Sequence, residues 1–347
     1  MACKGSGWHR QDDNEPSYRL EGSSCRWREV AVRIAVYGAG SVGGYFGGRL
    51  AQAGTDVHLI ARGPHLAALR EHGLRVRSVQ GDFTVRAPAT DDPATIGPCD
   101  YVLFCVKSFD TQAAAARLGP LLHQDTALVS LQNGVDNEDR LIEAVGPEHV
   151  MGGVAYIFAD LAEPGVVVHT GGPSSVAFGE LDGRDSERAR RLRDRFDQAG
   201  VPAEVSLDIR RLLWVKFAFL CAFAGMTAAV RLPIGKIREV DASWAAFRRL
   251  LDEVLELAAA EGVPLPAQVR EQVLAGTQAS DPQGTSSLHN DLAHGRRMEL
   301  EALHGLVVRR AANHGLAVPF CQAVYAILKP WAVRNEPRPR LSRILPA

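Results

Sequence analysis

The sequence has little that would commit it to a charged partner, a membrane or a covalent scaffold. It lacks a charge excess: 39 Lys and Arg stand against 40 Asp and Glu, a formal net charge of −1. Without an excess of either sign, no global field draws the chain to nucleic acid or to an anionic membrane. It lacks paired cysteines. Six are scattered at positions 3, 25, 99, 105, 221 and 321, none at C-x-x-C spacing. That is no disulfide framework, and a reducing cytoplasm is expected. It lacks a long hydrophobic run. The longest nearly unbroken one, Phe217 to Val230, has 14 residues between Lys216 and Arg231, against about 20 for a membrane span. The N-terminus has no apolar stretch that would serve as a secretory signal. No segment repeats, and none is of low complexity. The histidines at 289, 294, 304 and 314 form neither an i, i+4 pair nor H-E-x-x-H, so no metal site is expected.

What is present is ordinary for a soluble globular protein: 46% hydrophobic and 23% charged residues over 347 positions. The length implies two domains or three. Residues 1–29 are polar and aperiodic, a disordered extension or a mis-assigned start, with Val30 or Val32 close to the first strand. Between 33 and about 205, short β-branched runs alternate with helical segments. Arg33–Tyr37, Val57–Ala61, Tyr101–Val106 and Thr126–Leu131 read as strands. Ser41–Gln52, His65–His72, Thr111–Leu118 and Asp136–Val145 read as helices. Gly54, Gly73 and Gly146 sit just past helix ends, where a left-handed cap favours glycine. The alternation predicts an α/β domain over 30–206, a parallel sheet covered on both faces. Hairpins are expected at Leu74–Pro88, turning at Gly81-Asp82, and at Val150–Gly179. Residues 185–199 read as an Arg-rich helix with a solvated face. From Asp208, a candidate N-cap, helical patterns run 208–230, 241–261, 266–275, 299–313 and 319–329, an all-helical domain over 207–330. The four Arg and three Pro of 331–347 read as a loose tail.

The first strand runs straight into Gly38-Ala39-Gly40-Ser41-Val42-Gly43. This is G-x-G-x-x-G between a strand and a helix. Gly38 permits the tight turn, Gly40 admits a pyrophosphate to the backbone, and Gly43 lets helix and strand approach. The helix N-terminus then meets the phosphates with free N–H groups. The second strand ends in Arg62, where an NAD site usually places an acid for the ribose diol. A cation there suits a 2′-phosphate, so NADP(H) is the expected cofactor; a plain surface arginine is the alternative. Val106-Lys107-Ser108 and Gln132-Asn133-Gly134 follow two further strands, at the edge where such sheets bind ligands. Lys107 is a candidate second cation beside the phosphate, and Asn133 a contact near the nicotinamide, although each residue also suits a turn.

Leu212 to Val230 contains one ionisable residue, Lys216. A helix that is apolar all round is buried. Burial would lower the lysine pKa and make a general acid; snorkelling to solvent is the equal alternative. Downstream, Ser286-Ser287 and Glu299 offer a donor and a carboxylate, with Glu301 a competitor for the second role.

Taken together and in this order, these motifs resemble the ketopantoate reductase (2-dehydropantoate 2-reductase) family over about residues 33–329. The resemblance implies a Rossmann domain followed by a helical domain like that of the phosphogluconate dehydrogenases, with substrate in the cleft between them. It implies that Lys216 protonates the carbonyl oxygen as NADPH reduces a 2-keto acid. It implies that Glu299 binds substrate and holds Lys216, that Ser287 and Asn133 contact the substrate, and that Arg62 and Lys107 hold the 2′-phosphate. One departure stands out. The family usually carries Asn four and eight residues after the lysine, and here these are Leu220 and Ala224. These two would form an apolar part of the substrate wall. The first candidate substrate is 2-dehydropantoate, giving pantoate for pantothenate and coenzyme A biosynthesis. A more apolar keto acid or related carbonyl compound is the alternative, and a catalytically silent NADP-binding sensor the rival of another class. The expected partner is a small molecule, with no nucleic acid and no membrane; a homodimer stays open.

Overall fold

The computed structural model describes residues 32–336; the expectations for 1–29 and for the end of the C-terminal tail lie outside them. The α/β half contains β1 (Arg33–Tyr37), α1 (Ser41–Gln52), β2 (Asp56–Ile60), α2 (Gly63–His72), β3 (Leu74–Ser78), β4 (Phe83–Val85), β5 (Ala89–Thr90), β6 (Tyr101–Phe104), α3 (Thr111–Ala115), β7 (Ala127–Ser130), α4 (Asn137–Val145), β8 (Val150–Glu163), β9 (Val166–Glu180), α5 (Glu187–Gln198) and β10 (Ala203–Val205). One sheet runs β4-β3-β9-β8-β7-β6-β1-β2-β5, with β10 also paired to β9. The central pairs β2-β1-β6-β7-β8 are parallel, as the strand–helix alternation requires. The two expected hairpins, β3–β4 and β8–β9, are antiparallel.

Burial on both faces explains the near-continuous apolar strands. Ile34 and Val36 of β1 face one core, and Ala35 and Tyr37 the other. The glycines of α1 set its closeness to the sheet: a Cβ on Gly47 would lie 2.7 Å from a Val36 methyl. The Arg-rich α5 is less solvated than its charge suggests, since Ala189, Leu192 and Phe196 are fully buried along one stripe. The shortest elements, β5 and β10, give too few residues for a period and were not expected.

The helical half contains α6 (Ile209–Val230), α7 (Ile234–Arg238), α8 (Asp241–Ala260), α9 (Ala267–Ala279), α10 (Ser287–Ala293), α11 (His304–Asn313) and α12 (Pro319–Asn335). Asp208 caps α6 as expected, its carboxylate accepting from Arg211 N. Among the described residues α6 is the one helix long and apolar enough to cross a membrane. Its core residues are buried by α8, α10 and α12 around it.

Three expectations are corrected. Residues 299–313 do not form one helix: Glu299 and a 3-10 turn over Leu300–Ala302 precede α11. The short α7 and α10 lie outside the helical ranges expected from the sequence. Residues 331–335 are helical, because Ala332 continues the buried stripe of α12 past Pro330.

Candidate active site

The sheet places its chemistry where the strand order reverses. From β1 the chain passes to β2 on one side and later to β6 on the other, and ligands of open α/β sheets bind at such a switch point. The glycine motif turns here. Gly38 has φ +98°, and a Cβ on it would lie 2.8 Å from Val106 N. A Cβ on Gly43 would lie 2.3 Å from the Gly38 carbonyl oxygen, whereas one on Gly40 would meet nothing within 4 Å. That open space fronts the N-terminus of α1, which has no side-chain cap and no acid in its first turn. Ala39, Ser41 and Val42 complete this turn. The cradle fits a pyrophosphate.

Arg62 follows β2, exposed, with its guanidinium 2.6 Å from Asp110 Oδ2. The Lys107 ammonium reaches Glu299 Oε2 at 3.1 Å and Asp291 Oδ2 at 3.3 Å, so its charge is engaged by carboxylates of the helical half. The other expected phosphate cation is thus paired with carboxylates in this arrangement, and Arg62 is the cation at the end of β2.

Glu299 is buried, and its second oxygen accepts from Ser108 N at 2.9 Å. Burial alone would raise its pKa, but the Lys107 charge and the Ser108 N–H outweigh this and hold it below the usual carboxylate range. Burial opposes the Lys107 charge as well, and Glu299 and Asp291 prevail, keeping its pKa above the ordinary lysine value. Asp291 extends the network to Arg296, 2.8 Å away, which also reaches Asp160 at 3.1 Å. The competitor Glu301 is occupied elsewhere, by Lys329, Tyr325 and Arg309 at the surface.

Lys216 lies between buried Trp214 and Phe217 in the second turn of α6. Among the described residues its Nζ has no hydrogen bond and no ion pair. Burial lowers its pKa to about 8, against the opposing charges of Glu299 and Glu138. Part of its surface stays open. Among the described residues no hydrogen bond or ion pair joins Glu299 to Lys216; the carboxylate contacts Lys107 and Ser108 N instead.

Asn133 is half-buried after β7, its carbonyl oxygen accepting from Asn137 Nδ2 at 3.0 Å. The neighbouring Gln132 donates to the Val106 carbonyl oxygen and to Thr111 Oγ1, both at 2.8 Å, joining the loops after β6 and β7. Of the two serines, Ser286 is buried, caps α10 and bonds Thr227 Oγ1 at 2.9 Å. Ser287 is exposed, and among the described residues its hydroxyl has no hydrogen-bond partner. Leu220 keeps part of its surface open, but Ala224 is closed into the helical core. Of those two, only Leu220 can line a substrate.

Family models for ketopantoate reductase PanE/ApbA match residues 34–183, and for its C-terminal domain residues 208–332. The chain belongs to the ketopantoate reductase family. A PanE/ApbA family ketopantoate reductase from Ralstonia eutropha has a crystal structure with a TM-score of 0.81 to this one, at 36% identity, covering 88% of this chain and 99% of that one. A 2-dehydropantoate 2-reductase from Halobacterium salinarum is 35% identical over 304 residues, 86% of this chain and 98% of its own. An uncharacterized oxidoreductase of Bacillus subtilis, YkpB, is 30% identical over 300 residues, 86% and 98% of the two chains. The protein is thus an oxidoreductase of the 2-dehydropantoate 2-reductase type, with a Rossmann domain for a nicotinamide cofactor and a helical C-terminal domain.

Two functional candidates escaped the sequence reading. Asp291 sits between the helical ranges expected from the sequence, on α10. Glu138 looks like an ordinary acid in the first turn of α4, yet it is 3% exposed, and burial raises its pKa to about 7. Nothing local in Asp136-Asn137-Glu138-Asp139 tells which acid turns inward.

Proposed function

We propose that the protein reduces a 2-keto acid to the 2-hydroxy acid with NADPH, 2-dehydropantoate being the first candidate substrate. The observation that carries this is Lys216: the one charged side chain between Leu212 and Val230 of α6, partly open to solvent, its amine unengaged among the described residues. Residues 30–206 hold the cofactor in this reading and 207–330 shape the substrate site. The Gly38–Gly43 turn takes the pyrophosphate, and Arg62 takes the 2′-phosphate by exchanging Asp110 for it. When bound, the nicotinamide supplies the hydride that reduces the carbonyl carbon.

Lys216 holds the proton that neutralises the carbonyl oxygen as it gains electrons. A cation aimed at developing alkoxide charge stabilises that transition state more than the ketone, and a positioned acid contributes about 10²–10⁴ in rate. Ser287 and Asn133 orient the substrate with their unengaged side chains, and Glu299 sets the field around the amine. A catalytically silent sensor would need none of these, least of all an ammonium in an apolar helix.

A second reading concerns the substrate's tail. Leu220 puts an aliphatic wall where relatives place an amide, which favours a branched or aromatic keto acid over one with a hydroxyl. NADPH oxidation measured with a panel of 2-keto acids separates the readings. Turnover of 2-dehydropantoate above all others supports the first, preference for its deoxy analogue the second, and no turnover of any member the sensor.

A further inference from the structure

The end of β2 carries a cation where an NAD site usually carries an acid, yet the fold brings an acid there from another strand. Arg62 leaves the carboxyl end of β2 and Asp110 follows β6, and these two strands flank β1, which runs into the glycine turn. Asp110 Oδ2 accepts from Arg62 Nη2 at 2.6 Å. Among the described residues that bond is the only one made by either side chain. Asp110 stands at the N-cap position of α3 but makes no cap bond, so its carboxylate serves Arg62 and not its own helix. The two partners differ in freedom. The Arg62 side chain is 71% exposed, against 30% for Asp110. The three residues before Asp110 are each fastened to the helical half: Lys107 to Glu299 at 3.1 Å, Ser108 N to Glu299 at 2.9 Å, and the Phe109 ring to the Arg297 guanidinium at 4.1 Å. An exchange at this pair therefore swings the arginine and leaves the carboxylate where it is.

We propose that Asp110 is a specificity-determining residue of the cofactor site: a carboxylate that competes with a 2′-phosphate for Arg62, and that accepts the ribose 2′-hydroxyl when the cofactor carries no phosphate. This rests on the reading of Arg62 as the seat of that phosphate. A phosphorylated cofactor must break the ion pair and then lie close to a fixed negative charge. A cofactor without the phosphate leaves the pair intact. The carboxylate still has acceptor sites for the diol, since its two oxygens offer about four. The site thus takes both NADPH and NADH, and Asp110 narrows the preference that Arg62 creates. An exposed ion pair is weak, so the competition lowers the apparent NADPH affinity by about two- to fivefold.

The test titrates NADPH and NADH into the full chain by nicotinamide fluorescence, with no substrate present and no turnover needed. It compares wild type, Asp110→Ala, Asp110→Asn, Arg62→Met and the double variant Arg62→Met/Asp110→Ala. Asp110→Ala should bind NADPH about two- to fivefold more tightly and NADH more weakly. Asp110→Asn should also gain NADPH affinity but keep part of the NADH affinity, because its amide oxygen still accepts. A gain in affinity is a result that mere loss of structure does not give. In the Arg62→Met background the NADPH gain should disappear, since no cation is left to release. An Asp110→Ala variant with both affinities unmoved overturns the proposal, and if Arg62→Met has lost the preference for NADPH the reading of Arg62 still stands. An equal NADPH gain with and without Arg62 reduces the effect to charge repulsion and overturns the competition. If Arg62→Met keeps the wild-type preference, the reading of Arg62 fails and the proposal fails with it.

Discussion

An ammonium enclosed by an apolar helix weakens the fold that carries it. The pKa of Lys216 is lowered from 10.5 to about 8, so the unfolded chain holds that proton more tightly than the native one. The penalty is fully present below pH 8 and fades as pH rises through 10.5. Lys216→Met should therefore raise the unfolding free energy at pH 7 by about 1–3 kcal/mol, while turnover falls by roughly 100-fold or more. Denaturant unfolding beside steady-state kinetics tests both, and a variant that loses stability with activity would make the lysine structural. Arg62 carries the prediction on cofactor choice. Arg62→Asp should weaken NADPH by roughly 10- to 150-fold, the loss of a charge-assisted bond of about 1.5–3 kcal/mol, and should narrow the preference over NADH. An unchanged preference would make Arg62 a bystander. These two residues were legible because each breaks a local pattern, one an apolar helix and the other a strand end that usually carries an acid. Glu138 was not, because it breaks no pattern: inward and outward acids in a first helical turn look alike until the neighbouring strand and α6 are in place.

At the scale of elements, α6 divides the substrate question. Leu220 and Ala224 lie one turn apart on nearly the same face, yet only Leu220 keeps open surface. Leu220→Asn should shift kcat/KM toward 2-dehydropantoate relative to its deoxy analogue, within the span of about 100-fold that a pocket gains from one hydroxyl. Ala224→Asn should instead destabilise, by about 1–3 kcal/mol for overpacking, because its methyl is closed in by core side chains. Melting curves and substrate ratios for the two single variants separate these outcomes; a selectivity change confined to Ala224→Asn would refute them. Long elements were readable from periodicity: α6 and α8 match the sequence expectation within a residue at each end. Elements of two to seven residues, such as β5, α7 and α10, were not, since capping and tertiary contacts rather than a repeating face hold them in place.

The whole molecule combines two buried titrations of opposite sign. Glu138 has its folded pKa raised from 4.5 to about 7, so the native state holds its proton more tightly and stability falls as pH rises through that range. His304 is fully buried, and its pKa is lowered from 6.5 to about 4. There the unfolded chain binds the proton more tightly, and stability rises over the range in which Glu138 loses it. Each shift corresponds to roughly 3 kcal/mol at 1.36 kcal/mol per pH unit. Between about pH 4.5 and 6.5 the two slopes oppose, and unfolding free energy should stay nearly level in wild type. Glu138→Gln removes one slope and should expose the other as a rising curve. Denaturant midpoints at half-unit intervals check this, and a level curve in the variant would contradict it. Domain order and the parallel sheet followed from the alternation of strands and helices. The joining of the two halves did not, because Lys107, Asp291 and Glu299 are 184 and 192 residues apart and no periodic signal connects them.

That bridge has a consequence for how the halves come apart. Lys107 and Ser108 belong to the sheet half, and Asp291 and Glu299 to the helical half. Separating the halves would strip a buried carboxylate of its cation and its N–H donor, and an unpaired buried charge is costly. The same contacts thus tie the unfolding of one half to that of the other.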